Sequence, residues 1–132
     1  MSLLVQKFGG TSVGSVERIE AVADKLAKFH ADGHQLVVVL SAMSGETNRL
    51  IGLAKAIQDT PTPRELDVLV ATGEQVTIAL LCMALHKRGI DARSYTGAQV
   101  RILTDSAFNK ARIEQIDSEA MLADLNTGRI VV

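Results

Sequence analysis

Two short apolar runs each give way to a loop of small, hydroxylated residues, and each loop leads into a segment with helical spacing. Leu3, Leu4 and Val5 precede Gln6 and Lys7 and read as a buried strand, followed by a loop from Gly9 to Ser15. Val16, Ile19, Val22, Ala23, Leu26 and Phe29 then recur every three or four positions with charges between them, as one face of a helix requires. Gly33 stands where a helix ends in a left-handed residue. Leu36 to Leu40 is a valine-rich aliphatic run, typical of a strand covered on both faces. A second loop, Ser41 to Gly45, leads into a helix that ends near Gln58.

Thr60 to Pro63 breaks the pattern. Thr62 with Glu65 has capping-box spacing, and Pro63 falls at the favoured first helical position. The next helix is expected to pause at Gly73 and resume as far as Arg88, with Gly89 as its stop. Its segment Val76 to Leu85 is apolar nearly all round and is expected to be buried. Ala92 to Tyr95 reads as a strand, Gly97 to Asp105 as a polar irregular segment, and Ala111 to Ile116 as a further strand. Asp117 is placed to cap a helix, with Ile116 and Met121 as a hydrophobic staple. That helix stops at Gly128, and Ile130 to Val132 form a last apolar strand. Alternation of this kind predicts an α/β fold, a three-layer αβα sandwich with a mostly parallel sheet and right-handed crossovers. Open sheets of this type bind ligands beyond the carboxyl ends of their strands. Lys7 and Ser41 both sit at such ends.

A chain of 132 residues, 47% hydrophobic and 22% charged, suits one compact domain. A formal net charge of −1 supplies no basic footprint for nucleic acid or an anionic membrane, and one Tyr, three Phe and no Trp give little surface for base stacking. The longest uninterrupted apolar run, Ile78 to Leu85, is too short to span a bilayer. Cys82 is the only cysteine, so no internal disulfide framework exists, and its apolar surroundings predict a buried, inert thiol. With no signal pattern at the N-terminus, a reducing cytoplasm is the expected setting. His30, His34 and His86 share no metal-ligand spacing, and no metal site is expected.

The chemistry lies in the loops. Lys7-Phe8-Gly9-Gly10-Thr11-Ser12-Val13-Gly14-Ser15 offers two glycines that admit close approach, a lysine charge and three hydroxyls, ahead of the positive end of a helix. Such an ensemble suits a polyphosphate, although it has neither the Walker A spacing nor the dinucleotide fingerprint. The same residues also suit a tight strand-to-helix turn with a surface lysine. Ser41-Ala42-Met43-Ser44-Gly45-Glu46-Thr47-Asn48 could hold a small polar ligand or could simply cap a helix. Glu74, in Ala71-Thr72-Gly73-Glu74-Gln75, could meet a ligand ammonium or could be a helix N-terminal carboxylate favoured by the dipole. Tyr95-Thr96-Gly97-Ala98-Gln99, Leu103-Thr104-Asp105 and Ala111-Arg112-Ile113 carry nothing chemically decisive.

Taken in order, these blocks resemble the aspartate kinases of the amino acid kinase family, and the resemblance runs the length of the chain. It implies transfer of the γ-phosphoryl group of ATP to the side-chain carboxylate of L-aspartate, giving 4-phospho-L-aspartate on the route to lysine, threonine and methionine. By similarity, Lys7, Phe8, Gly9, Gly10, Thr11 and Ser12 would hold ATP, with Lys7 in the catalytic role and Mg²⁺ carried on the nucleotide. Ser41, Ala42, Thr47 and Glu74 would hold aspartate, with Glu74 facing its ammonium. The acceptor carboxylate has an ordinary pKa near ~3.9, so it needs no general base at neutral pH. A homo-oligomer is the expected assembly.

Two departures stand out. Family members often have glycine after the Gln99 block, where this chain has Val100 and Arg101. The family also continues, where this sequence stops at Val132, with a Gly/Arg/Ser/Asp substrate clamp, a nucleotide-binding half and ACT regulatory domains. Residues 1–132 are therefore expected to be the N-terminal portion of the kinase domain, with little turnover alone and an uncovered apolar edge prone to self-association. The competing expectations are a related kinase acting on glutamate or acetylglutamate, and a non-catalytic binding or association module.

Overall fold

The computed structural model describes residues 1–132. Strand β1 (Leu3–Phe8), helix α1 (Val16–Ala31) and strand β2 (Gln35–Leu40) form the first crossover, and helices α2 (Glu46–Ile57) and α3 (Pro63–Lys87) follow. Then come β3 (Ala92–Arg93), the single-turn α4 (Gly97–Val100), β4 (Ile102–Thr104), β5 (Ile113–Ile116), α5 (Glu119–Asn126) and β6 (Ile130–Val131). The main sheet has the order β1-β2-β6-β3 and is parallel throughout. The predicted α/β architecture is present.

The core lies on one face of this sheet. Leu36, Val38, Leu40, Ala92, Ile130 and Val132 pack against Ile19, Val22, Ala23 and Leu26 of α1 and against Leu81, Cys82, Ala84 and Leu85 of α3. Helix α5 lies over the opposite face, where Gln35 Nε2 donates to the Leu125 carbonyl at 3.1 Å. Each helix buries a stripe because its apolar residues recur with helical period. Gly33, Gly89 and Gly128 end their helices with positive φ, as the sequence predicts.

Several expectations are corrected. Strand β1 runs to Phe8 and is an edge strand, so only its Leu4 and Phe8 side reaches the core, while Leu3 is 50% and Val5 68% exposed. Helix α3 is one unbroken helix of 25 residues in which Gly73 is interior. It is long and apolar enough to cross a bilayer, yet here it packs one stripe into the core. Val76 is 48% and Met83 63% exposed on its other side, so residues 76–85 are not buried all round. Thr62 does not cap α3; its hydroxyl donates to Gln58 Oε1 at 3.0 Å. A capping box exists instead at Thr96 and Gln99. The strand expected over Ala111–Ile116 is shorter and leaves the main sheet, pairing antiparallel with β4 in a two-stranded ribbon. The residue at the start of α5 is Ser118, not Asp117, and it makes no side-chain cap bond; Asp117, one place earlier, accepts from the Glu119 N–H at 3.1 Å.

Candidate functional site

Parallel pairing places the ends of β1 and β2 side by side, with Lys7 opposite Val39 and Phe8 opposite Leu40. The Ser41 N–H continues the ladder by donating to the Phe8 carbonyl at 3.2 Å. Both loops therefore leave the sheet at one place. Between them lies a cavity of about 430 Å³ lined by Gly10, Thr11, Ser41, Ala42, Met43, Ser44, Gly45, Thr47, Asn48 and Glu74. Six of the residues singled out from sequence meet there: Gly10, Thr11, Ser41, Ala42, Thr47 and Glu74.

Lys7, Phe8, Gly9 and Ser12 lie outside that lining. The Lys7 side chain leaves the strand on the Val39 face and forms no ion pair within the chain. Phe8 points the other way, packs against the core and lies beneath the Lys25 ammonium, 5.9 Å from its ring centre. Only the Phe8 backbone therefore belongs to the loop.

The two glycines have different roles. A Cβ on Gly10 would stand 3.0 Å from the Ala42 carbonyl oxygen, so Gly10 lets the two loops touch. A Cβ on Gly9 would meet nothing within 4 Å, so no part of the chain itself requires glycine there. The backbone N–H groups of Gly9, Gly10 and Thr11 have no acceptor in the chain, whereas Ser12 N–H donates to the Gly9 carbonyl at 3.0 Å. Three consecutive donors beside open space fit an anionic oxygen cluster such as a phosphate.

The helix end that serves the cavity is not the one expected. Helix α1 is capped by its own Ser15, whose hydroxyl accepts from Arg18 N–H at 3.2 Å. Helix α2 begins at Gly45, with φ 81° and no side-chain cap. Thr47 and Asn48 N–H, in its first turn, have no acceptor, and both residues line the cavity. The positive end of α2 therefore faces the pocket uncompensated. Glu46 turns to Arg49, which it meets at 2.7 Å, and that hydrogen bond holds its carboxyl below the usual carboxylate range.

Glu74 sits in mid-helix, eleven positions after Pro63 at the start of α3, so the dipole of a helix start does not account for it. Its carboxylate forms no hydrogen bond or ion pair in the chain and borders both this cavity and a larger apolar one of about 510 Å³. The apolar cavity also takes in Tyr95, Thr96, Gly97, Val100, Ile116 and Met121. A half-buried carboxylate without a partner, opposite an open helix N-terminus, fits a zwitterion: ammonium toward Glu74 and carboxylate toward α2. Met43, Ser44, Gly45 and Asn48 complete the lining; their block was visible in the sequence, but nothing marked these residues within it. Cys82 is buried, and burial pushes its thiol up to about 11. No three His, Cys, Asp or Glu side chains gather as a cation cage.

Comparison with known proteins agrees with this fold. The description of the amino acid kinase family matches residues 2–132. An aspartate kinase of Pseudomonas putida is 72% identical over 132 residues, which cover 100% of this chain and 32% of that protein. The chain thus spans about a third of the length of the curated relatives it matches. The crystal structure of aspartate kinase from Synechocystis superimposes with a TM-score of 0.81 at 46% identity, over 98% of this chain and 21% of that one. Aspartokinase III of E. coli, solved in complex with aspartate and ADP, shares the fold at 22% identity with a TM-score of 0.83, over 99% of this chain and 40% of its own.

Proposed function

Because this chain belongs to the amino acid kinase family, we propose that it supplies the phosphate loop and the amino-acid pocket for ATP-dependent phosphorylation of the side-chain carboxylate of L-aspartate. The observation that carries this is the single cavity joining Gly10 and Thr11 of the first loop, the open start of α2, and the unpaired Glu74 carboxylate.

An aspartate side chain is ionised at neutral pH and is already a nucleophile. The obstacle is bringing it to a phosphate that is also anionic. Fixed N–H donors and a helix N-terminus reduce that repulsion and stabilise the charge on the group in transfer. In this scheme the Gly9, Gly10 and Thr11 amides hold phosphate oxygens, with Ser12 and the Lys7 ammonium beside them. Ser41, Ala42 and Thr47 hold the carboxylates of aspartate, Ala42 through its backbone because its methyl is taken up by Gly73. Glu74 holds the ammonium. The chain offers no cluster of three His, Cys, Asp or Glu side chains to hold a resident Mg²⁺. The chain spans about a third of the length of its curated relatives, and turnover by it alone is expected to be slight.

A ligand series tests the scheme. Calorimetric titration should show L-aspartate binding the chain more tightly than succinate, which keeps both carboxylates but lacks the ammonium. Equal binding of the two would remove Glu74 from its role, and binding of neither would remove the pocket.

Self-association is supported by a separate observation: the outer edge of β1 is unpaired, and Leu3, Val5 and Val39 are exposed on one face of the sheet. Sedimentation equilibrium is expected to show concentration-dependent dimers that Val5→Lys weakens; a monomer at every concentration would end this reading.

A further inference from the structure

Thr77 is fully buried, carries no sequence motif, and hydrogen-bonds two residues that line the pocket, Ser41 and Glu74. Its hydroxyl lies 2.9 Å from the Ser41 carbonyl oxygen and 3.0 Å from that of Glu74. A hydroxyl has one proton, so the two carbonyls share it or alternate in accepting it. The bond to Glu74 is the local back-bond of a helical threonine to the preceding turn. The bond to Ser41 joins α3 to a loop 36 positions away. One turn earlier on the same helix face, Gly73 packs against Ala42 so tightly that a Cβ would lie 2.8 Å from the Ala42 methyl. Helix α3 therefore holds two consecutive loop residues, Ser41 by a hydrogen bond and Ala42 by contact. Glu74 leaves the helix between these two points of attachment.

We infer that Thr77 is a positioning residue for the amino-acid pocket, fixing the span between the Ser41–Ala42 segment and the Glu74 carboxylate. This rests on the aspartate reading of the pocket. A ligand that bridges loop and carboxylate depends on that span, whereas phosphate held by the Gly9–Thr11 amides does not. Without the Thr77 hydroxyl, the Ser41 carbonyl loses its side-chain partner and the loop must shift to find another. Glu74 keeps its charge and its place in the helix, so the change is one of distance.

The test titrates the chain and its Thr77→Val and Thr77→Ser variants with L-aspartate and with Mg-ATP, and records the Ser41 carbonyl-carbon shift by NMR. Thr77→Val is expected to weaken aspartate binding about tenfold, the equivalent of one lost buried hydrogen bond. Binding of Mg-ATP should change by less than about twofold. Thr77→Ser should restore both aspartate binding and the Ser41 shift, which loss of packing alone would not allow. A melting curve checks each fold, and Thr77→Cys, a weaker donor of similar size, should fall between the other two. Unchanged aspartate binding in Thr77→Val, equal loss for both ligands, or failure of serine to rescue would each overturn the inference. If the unsubstituted chain binds no aspartate, the pocket reading falls first and this one with it.

Discussion

Gly73 and Ala42 meet at a distance that leaves no room for a second methyl group: a β-carbon on residue 73 would stand 2.8 Å from that of Ala42. The approach of α3 to the loop after β2 depends on this one missing side chain. It brings Glu74 to the cavity and places Thr77 under Ser41.

The substitution Gly73→Ala sets two effects against each other. Alanine inside a helix gains about 0.5–1 kcal/mol over glycine. Forcing a methyl into a filled space costs about 1–3 kcal/mol. Overpacking is expected to win, lowering stability by about 1 kcal/mol, as a shift in urea midpoint at constant slope. A more stable variant would show that the loop yields freely.

Glu74→Gln separates binding from folding. Its carboxylate has no partner in the chain to lose, so stability should stay within about 0.5 kcal/mol of the original. Loss of a charged hydrogen bond to the ligand, about 1.5–3 kcal/mol, should weaken L-aspartate more than tenfold. Succinate should be nearly unaffected, and the preference for aspartate should vanish in the calorimeter.

Arg101 follows α4 in the left-handed region, with φ 62° and ψ 50°. That conformation costs a residue with a β-carbon about 1–2 kcal/mol. Its ion pair with Asp117 is 3.8 Å long and solvated, worth at most about 1 kcal/mol. Arg101→Gly is therefore expected to raise the melting temperature. A fall would mean that the Asp117 contact outweighs the backbone strain.

Asp124 gives the fold an acid limit. Burial pushes its carboxyl up, but hydrogen bonds from Tyr95 and Arg129, and the nearby Arg93 charge, together hold it below the ordinary range. A group depressed in the folded state contributes stability above its unfolded value, near ~3.9, and loses it as pH falls through the folded value. Stability should decline on acidification below about pH 4. Asp124→Asn should flatten that decline and cost about 1.5–3 kcal/mol at neutral pH. An unaltered pH profile in denaturant titrations would exclude Asp124 as the cause.

The alternation of strands and helices was legible because both periodicities are local: valines in β2 and the spaced apolar residues of α1 declare themselves within a few positions. The edge position of β1 was not, since Leu3 and Val5 look the same whether or not something covers them. Gly73 reads as a helix break by propensity, and the reason it is not one lies 31 positions back, at Ala42. The pocket lining was largely visible as two loops at strand ends. Which helix would serve it was not, although Ser15 three places before Arg18 carried the local signal of a capped start. Thr77 shows nothing in the sequence, because a threonine in an apolar helix looks like filler until its hydroxyl has a direction.

Helix α2 starts on a left-handed glycine with no oxygen of its own over its first amides. A serine or aspartate at that position would end the vacancy from within and compete with any visitor. An anion seated there, as proposed above, would supply the acceptor that the chain itself does not. Occupancy and resistance to unfolding are then one thermodynamic quantity, and melting should climb with the logarithm of ligand concentration.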